Sequence, residues 1–185
     1  MSYIKSFAFL NLFLLLALCS EVSFAQAGPA SQEQSAYYFG EAKITSPTGQ
    51  VFGNTLSVVK RTLKPAENKI IEQVIFLDPR RPPEEHITVL EVKGSKFTLR
   101  DDSGTFTGEG ELTGKAWEWS GWVSNVKFTD GKGTLKSEDT LANNVITAKK
   151  TFFRPDGKPS ALIIEELKPI SKEAFELLRS KLLQK

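Results

Sequence analysis

Histidine, cysteine and paired carboxylates are the residues that most often do chemistry, and the sequence offers few of them. A Ser-His-Asp or Cys-His catalytic system needs a histidine base, and the chain has one histidine, His86. It follows Glu84-Glu85 and a proline-rich turn, a position typical of a surface residue. A single histidine without cysteine partners is too little for a zinc site, although His86 could serve as an axial ligand of haem. We therefore predict no cofactor and no metal.

The carboxylates do not predict a catalytic pair. Asp101-Asp102 lies between two strand-like runs, where aspartate favours turns. Glu109 and Glu111 share one face of a strand, as an acid/base pair would, but that face is predicted to be solvated. The segment 108–114 lacks the G-x-G-x-x-G spacing of a phosphate loop, and no helix follows it. The chain is therefore not predicted to be an enzyme, since an enzyme would need Glu, Arg or Tyr side chains converging inside a cavity.

All three tryptophans fall between Phe97 and Phe128, a stretch that predicts a β-hairpin. A two-residue turn at Gly114-Lys115 sets the register, and the side chains alternate between a dry and a wet face. On the dry face the indole rings would lie over bare glycine backbone. The pairs predicted there are Leu112 with Trp117 and Gly110 with Trp119.

Trp122 falls on the other side of this predicted hairpin. The same turn places it opposite Thr107 on the wet face. Beyond Gly121, however, the apolar pattern changes phase, so that Trp122 and Phe128 share a side with each other. A β-bulge near Ser120-Gly121 would account for the change and would bend the strand, as a closing sheet requires.

Turns at Gly94-Ser95 and at 101–104 extend the dry face to the neighbouring strands. The opposed pairs predicted there are Val92 with Phe97, Leu90 with Leu99, Leu99 with Phe106, and Phe97 with Gly108. One continuous apolar face then contains Leu90, Val92, Phe97, Leu99, Phe106, Leu112, Trp117 and Trp119. Large aromatic side chains at this spacing either form a packed core or line a ligand cavity.

A cation on the inner face would complete such a cavity by holding the acidic head group of a ligand. Within the strand predicted at 51–63, either Lys60 or Arg61 must point inward, and Lys149 and Lys150 pose the same choice. Arg100 is next to Leu99 in the strand, so its side chain is predicted to point to the opposite face, outside the barrel. The candidate ligand-binding residues are Phe97, Leu99, Phe106, Trp117, Trp119, Trp122 and Arg61.

Strand-like runs separated by turn signals extend from Tyr37 to Leu167 and number about ten. The predicted fold class is all-β: an antiparallel up-and-down meander whose strands close into a β-barrel. After Pro169 the apolar residues recur at helical spacing, which predicts an amphipathic helix over 171–184. Such a helix would pack on the sheet or plug an open end of the barrel; the alternative is a dimer or membrane contact.

Residues 1–27 have the pattern of a cleaved secretory signal peptide. Lys5 supplies a basic start, an apolar run covers 7–18, and small residues stand at the spacing that a signal peptidase reads. The run is shorter than the roughly 20 residues of a membrane span. We predict an exported protein, periplasmic or secreted. The alternative is a lipoprotein anchored through Cys19, because Leu16-Ala17-Leu18-Cys19 looks like a lipobox.

The remaining chain divides into a disordered leader over 28–36, which lacks apolar periodicity, and a single domain over 37–185. The only cysteine lies in the predicted signal segment, so the mature domain would have no disulfide and no thiol chemistry. The 24 basic and 22 acidic residues are interleaved. No basic surface for nucleic acid is therefore predicted, and the oligomeric state stays open.

Four segments, together with the meander, carry a resemblance to a known family. They are Lys96-Phe97-Thr98-Leu99, Gly108-Glu109-Gly110, Trp117-Glu118-Trp119 and residues 153–158 (FRPDGK). The chain resembles the lipocalin-like (calycin) barrels of bacterial exported proteins, with Phe39-Gly40-Glu41 where lipocalins have Gly-x-Trp. The resemblance implies a non-enzymatic barrel that binds a small hydrophobic or amphipathic molecule in its lumen. The alternative is a structural or interaction module of the cell envelope whose barrel is filled by its own side chains.

Overall fold

The computed structural model of the protein describes residues 32–77, 82–114 and 121–183. They form ten antiparallel strands, each paired with its neighbours in sequence, and β1 also pairs with β10 to close the barrel. This confirms the predicted all-β meander. The elements are β1 (Gln34–Thr45), β2 (Val51–Lys64), β3 (Lys69–Leu77), β4 (Glu84–Lys93), β5 (Lys96–Asp101), β6 (Phe106–Leu112), β7 (Trp122–Phe128), β8 (Thr134–Ala142), β9 (Val145–Phe153), β10 (Pro159–Pro169) and the helix α1 (Lys172–Leu183).

One half of the barrel is filled by its own apolar side chains. Because strand side chains alternate, every second residue of each strand points into the lumen. Those near the β4–β5 hairpin and the ends of β2, β6 and β7 form one buried cluster, here called the packed half. Its buried members are Leu63, Ile70, Leu90, Val92, Phe97, Leu99, Leu112, Trp122 and Val126.

The register of β5 agrees with the prediction where it pairs with β4 and differs from it where it pairs with β6. Across the β4–β5 hairpin, Val92 lies opposite Phe97 and Leu90 opposite Leu99, which confirms the prediction. Across β5 and β6, however, Leu99 lies opposite Gly108 instead of Phe106. The cause is Asp101, which extends β5 and whose carboxylate accepts a hydrogen bond of 2.9 Å from the Phe106 backbone N–H. The shift is an even number of residues, so the same side chains still face inward.

The register predicted between β6 and β7 is wrong. Leu112 lies opposite Trp122, five positions along the chain from the predicted Trp117. An odd shift exchanges the two faces of a strand, so Trp122 points inward and is 8% exposed. The turn predicted at Gly114-Lys115 is replaced by a connection from 113 to 121. Residues 115–120 of that connection, with Trp117 and Trp119, lie outside the described residues.

A phenylalanine ring packs on the backbone of Gly110, where the sequence predicted the indole of Trp119. A Cβ atom added to Gly110 would lie 2.7 Å from Cε2 of Phe97, so the phenylalanine ring occupies the space that glycine leaves. That ring also meets Trp122, with 6.2 Å between the centroids. Beyond Gly121, Trp122 and Phe128 share a side, as predicted. Ser120, at which a bulge was predicted, lies outside the described residues.

The first strand begins earlier than predicted. β1 starts at Gln34 instead of Tyr37, so the end of the predicted disordered leader is part of the barrel. Pairing with β2 provides the reason, since Ser35 lies opposite Thr62 and their hydroxyls are 3.0 Å apart. Ala36 is buried in the lumen. The predicted signal segment and Cys19 lie outside the described residues.

The C-terminal helix packs on the outer wall of the barrel. Phe175 and Leu178 of α1 are buried against Phe39, Val58 and Ile75, which are outward-facing residues of β1, β2 and β3. Packing on the sheet, one of the predicted roles, is therefore confirmed, and α1 does not plug an end of the lumen. Over the described ranges, no helix combines the length and the apolar character needed to cross a membrane.

Candidate functional site

The half of the lumen beyond the packed half contains a cavity of about 320 Å³. It extends from Arg61 and Trp122 in the middle of the barrel to the strand ends joined by the turns at 102–105 and 129–133. Surveyed ligand pockets occupy about 300–1,000 Å³, so this space has the size of a small pocket. At about 30 Å³ per water molecule, it corresponds to roughly ten waters.

The strand ends around the cavity carry aromatic side chains, here called the aromatic rim. They come from different strands, and each ring contacts the next one along the wall. Phe106 and Phe128 meet edge to face at 6.2 Å between centroids, and Phe128 stacks on Phe152 at 5.9 Å. On the opposite wall, Phe76 meets His86 at 5.7 Å. The rim therefore offers apolar ring surface to anything that occupies the cavity.

His86 belongs to this rim, which corrects its prediction as a surface residue. Even-numbered residues of β4 point into the lumen, as the buried Leu90 and Val92 show. His86 follows the same alternation and lines the cavity, with its side chain 34% exposed. The loop before His86 favoured a surface position, whereas the orientation of the side chain is set by the strand that begins at Glu84.

At the inner end of the cavity lies a buried ionic cluster around Arg61. Its guanidinium donates through Nε to Oε2 of Glu72 and through Nη2 to Oδ2 of Asp139, the latter at 2.7 Å. Its planar face lies 3.9 Å from the ring centroid of Trp122, which suits cation–π attraction. Ser137 donates to the other Asp139 oxygen at 2.8 Å. Burial would lower the pKa of Arg61, but Glu72 and Asp139 outweigh it and raise that pKa.

A second ion pair lies on the adjoining wall. Lys150 donates to Oε2 of Glu165 at 2.7 Å, and Ser57 donates to Oε1 of the same carboxylate at 2.6 Å. Burial alone would raise the pKa of Glu165, but Lys150 and Ser57 hold it below its usual 4.5. Burial likewise opposes the charge of Lys150, yet Glu165 and the Arg61-bound carboxylates raise the pKa of Lys150 above 10.5. Both groups are therefore charged at neutral pH.

Glu72, Asp139 and Glu165 were not among the residues predicted for the site. The alternation of side chains along each strand places all three on the inner face. Glu72 lies between Ile70 and Val74, two residues from each, and all three point inward. Asp139 is two residues from Leu141 on β8, and Glu165 is two residues from Leu167 on β10. A charge two residues from an apolar residue on the inner face of the same strand is the signal that predicts an inward charge.

Four of the seven candidate ligand-binding residues line the cavity: Leu99, Phe106, Trp122 and Arg61. Phe97 does not, because it packs behind Trp122 in the packed half. Trp117 and Trp119 lie outside the described residues. Of the lysine pairs, Lys150 lines the cavity and Lys149 does not. Arg100 points outward, as predicted, with its side chain 69% exposed.

The Glu165–Lys150 pair predicts an acid-sensitive contribution to stability. Because the pKa of Glu165 is lowered by folding, its contribution is complete above 4.5 and is lost as the pH falls further. The free energy of unfolding of the wild type should therefore decrease more steeply below pH 4.5 than that of Glu165→Gln. The added slope should approach, at most, about 1.4 kcal/mol per pH unit. Urea unfolding from pH 7 to pH 3 measures it.

Glu166→Gln is the matched control, since Glu166 is exposed on the outer face of the same strand. It should keep the slope of the wild type. Equal slopes for the wild type and Glu165→Gln would contradict the assignment.

Gly40 leaves the space in which the second ion pair fits. An added Cβ atom would lie 2.7 Å from Cδ2 of Leu167 and 2.9 Å from Oε1 of Glu165, with Ser57 Oγ closer still. Gly40→Ala should therefore destabilise the protein by about 1–3 kcal/mol, as overpacking does. In Gly53→Ala, the added Cβ would meet nothing within 4 Å. Thermal unfolding should show that control unchanged or slightly more stable.

Comparison with known proteins adds no relative to this description. No protein-family model matches the chain, and no curated protein is significantly similar to it. Over the described ranges, no three His, Cys, Asp or Glu side chains gather in a way that could hold a metal ion.

Proposed function

We propose that this protein is a non-enzymatic exported barrel that binds one small amphipathic molecule in its lumen. The observation that carries the proposal is the cavity of about 320 Å³ between the aromatic rim and the buried ionic cluster. An apolar wall with a few polar groups at one end is the usual arrangement of a small-molecule site.

The two ends of the cavity suit the two parts of an amphipathic ligand. Apolar carbon placed among Phe106, Phe128 and Phe152 would leave water at about 25 cal/mol per Å² of buried surface. Hydrogen-bonding groups of the ligand would meet Glu72 and Lys150, whose side chains are 20% and 25% exposed although both line the lumen. Both side chains therefore adjoin cavity space.

The pairing of the charges supports the non-enzymatic part of the proposal. A general base or a nucleophile acts through a group that is free to exchange a proton with the substrate. Here Arg61, Asp139, Lys150 and Glu165 bind one another at hydrogen-bond distance. His86 stands at the rim, where its ring contacts Phe76. Export is supported by the signal-like pattern of residues 1–27.

The alternative, an interaction module with a lumen filled by its own side chains, would need the packed half to extend through the barrel. Its filled region instead ends at Trp122 and Val126, where the cavity begins. The cavity therefore favours the binding function. Apolar side chains on the outside, such as Phe52 at 54% exposed and Ile164 at 54% exposed, are the surface that this alternative would use.

Calorimetric titration with 1-octanol tests the proposal, because octanol is amphipathic and carries no charge. The protein purified after expression of the full chain should bind one octanol per chain. Leu135→Trp should abolish binding by filling the cavity, since Leu135 lines it. Lys136→Trp places the same ring on the outer face and should bind as the wild type does. Native mass spectrometry of the untreated protein should in addition detect a co-purified small molecule.

Binding that survives Leu135→Trp would place the octanol elsewhere and contradict the proposal. The absence both of octanol binding and of a co-purified molecule would also contradict it, and the interaction module would then be the better account.

A further inference from the structure

The charges inside the lumen do not balance. Three carboxylates, Glu72, Asp139 and Glu165, surround two cations, Arg61 and Lys150. The three negative and two positive charges leave a net charge of −1 in this interior cluster. An uncompensated charge is costly in a medium of low dielectric constant, and its field there is stronger than in water.

Both cations are already committed to carboxylates. Arg61 is 3% exposed and is held by Glu72, Asp139 and the face of Trp122. Lys150 is held by Glu165 at 2.7 Å. The sequence predicted that an inward cation such as Arg61 would hold an acidic head group. Arg61 instead binds two carboxylates, and Lys150, which also lines the cavity, is paired with Glu165.

Glu72 is the carboxylate through which the negative charge faces the cavity. It binds Arg61 through Oε2, and in the described part of the chain its Oε1 makes no hydrogen bond. Its side chain is 20% exposed, compared with 2% for Asp139 and 5% for Glu165. A donor in the cavity can therefore reach Glu72 most readily, because the side chains of Asp139 and Glu165 are almost fully buried.

The behaviour of Lys150 is consistent with a negative field at this level of the lumen. Burial opposes its charge, yet the carboxylates Glu165, Asp139 and Glu72 raise the pKa of Lys150 above 10.5. A second ammonium group near Glu72 would enter the same field.

Resting on the binding function proposed above, we propose that the ligand is a small amphipathic amine. Its ammonium group donates to Oε1 of Glu72, and its apolar part lies among Phe106, Phe128 and Phe152 of the rim. The ligand supplies the positive charge that the interior cluster lacks. The space of about ten waters limits it to a free molecule of roughly that number of non-hydrogen atoms, which sets it apart from the headgroup of a bilayer lipid.

Three probes of equal chain length separate the charge from the apolar contribution: octylamine, 1-octanol and octanoate at pH 7, titrated calorimetrically into the full-chain protein. We expect octylamine to bind at least tenfold more tightly than octanol, because a charge-assisted hydrogen bond is about twice as strong as a neutral one. Octanoate should bind more weakly than octanol. This ranking is measured on the wild type and does not depend on how any variant folds.

Glu72→Gln tests whether Glu72 causes the preference for octylamine over octanol. The variant should lose most of the preference for octylamine, measured as the ratio of its affinity to that of octanol. Glu166→Gln, on the outer face, should retain the full preference.

Two kinds of failure are distinguishable. Octanoate or octanol binding as tightly as octylamine, or a preference that persists in Glu72→Gln, would overturn the amine proposal and leave the binding function standing. If none of the three probes bound, both proposals would be contradicted.

Discussion

Arg61→Met is expected to lower the free energy of unfolding by about 3–5 kcal/mol, which is the cost of breaking a buried ion pair from one side. Arg61 is the only group placed between Glu72 and Asp139 in the described contacts, and its removal leaves two carboxylates in the lumen without their cation. The methionine side chain keeps most of the apolar stem of arginine, so the effect reports the charge more than the packing. Urea unfolding at pH 7 measures it.

Two variants control for the explanation. Lys60→Met, at the neighbouring outward-facing position opposite Gln73, should cost less than about 1 kcal/mol, as surface substitutions do. The combination Arg61→Met, Glu72→Gln and Asp139→Asn removes all three charges and should recover much of the loss, because no unpaired charge remains. Two results would contradict the role of Arg61 as the cation that Glu72 and Asp139 require. One is a loss below about 1 kcal/mol for Arg61→Met alone, and the other is no recovery in the triple variant.

Trp122→Ala should destabilise the protein by a similar amount, about 3–5 kcal/mol, as expected for the truncation of a buried tryptophan. The indole is 8% exposed, packs on Phe97 and forms the surface on which the Arg61 guanidinium lies. Its loss would join the cavity to the packed half and leave the guanidinium without its ring. Thermal and urea unfolding of the variant give the magnitude.

This prediction also decides between the two registers of the β6–β7 hairpin. In the register that the two-residue turn sets without the bulge, Trp122 lies on the wet face, where truncation would change stability by no more than about 0.5 kcal/mol. Val123→Ala, at an outward position that is 41% exposed, serves as the control and should have that small effect. Similar small effects for both substitutions would favour the register with the two-residue turn.

The sequence was informative wherever the deciding interactions are local. Alternation along each strand identifies which residues share a face, and turn residues such as Gly94 mark where the chain reverses. These two signals predicted ten strands, the correct register of the β4–β5 hairpin and the outward position of Arg100. The helical spacing of apolar residues after Pro169 predicted the C-terminal helix. The same alternation would have identified Glu72, Asp139 and Glu165 as inward charges.

The sequence by itself thus determined the fold class, the order of the strands and most of the two faces of the sheet, because periodicity and turn chemistry depend on neighbouring residues. Only the tertiary structure decided the register across the 113–121 connection, which a two-residue turn could not predict. It also decided which charges meet: Arg61 contacts Asp139, 78 residues away, and Ser57 contacts Glu165, 108 residues away. Closure of the barrel between β1 and β10 brings such distant residues together, and no local pattern encodes their distance.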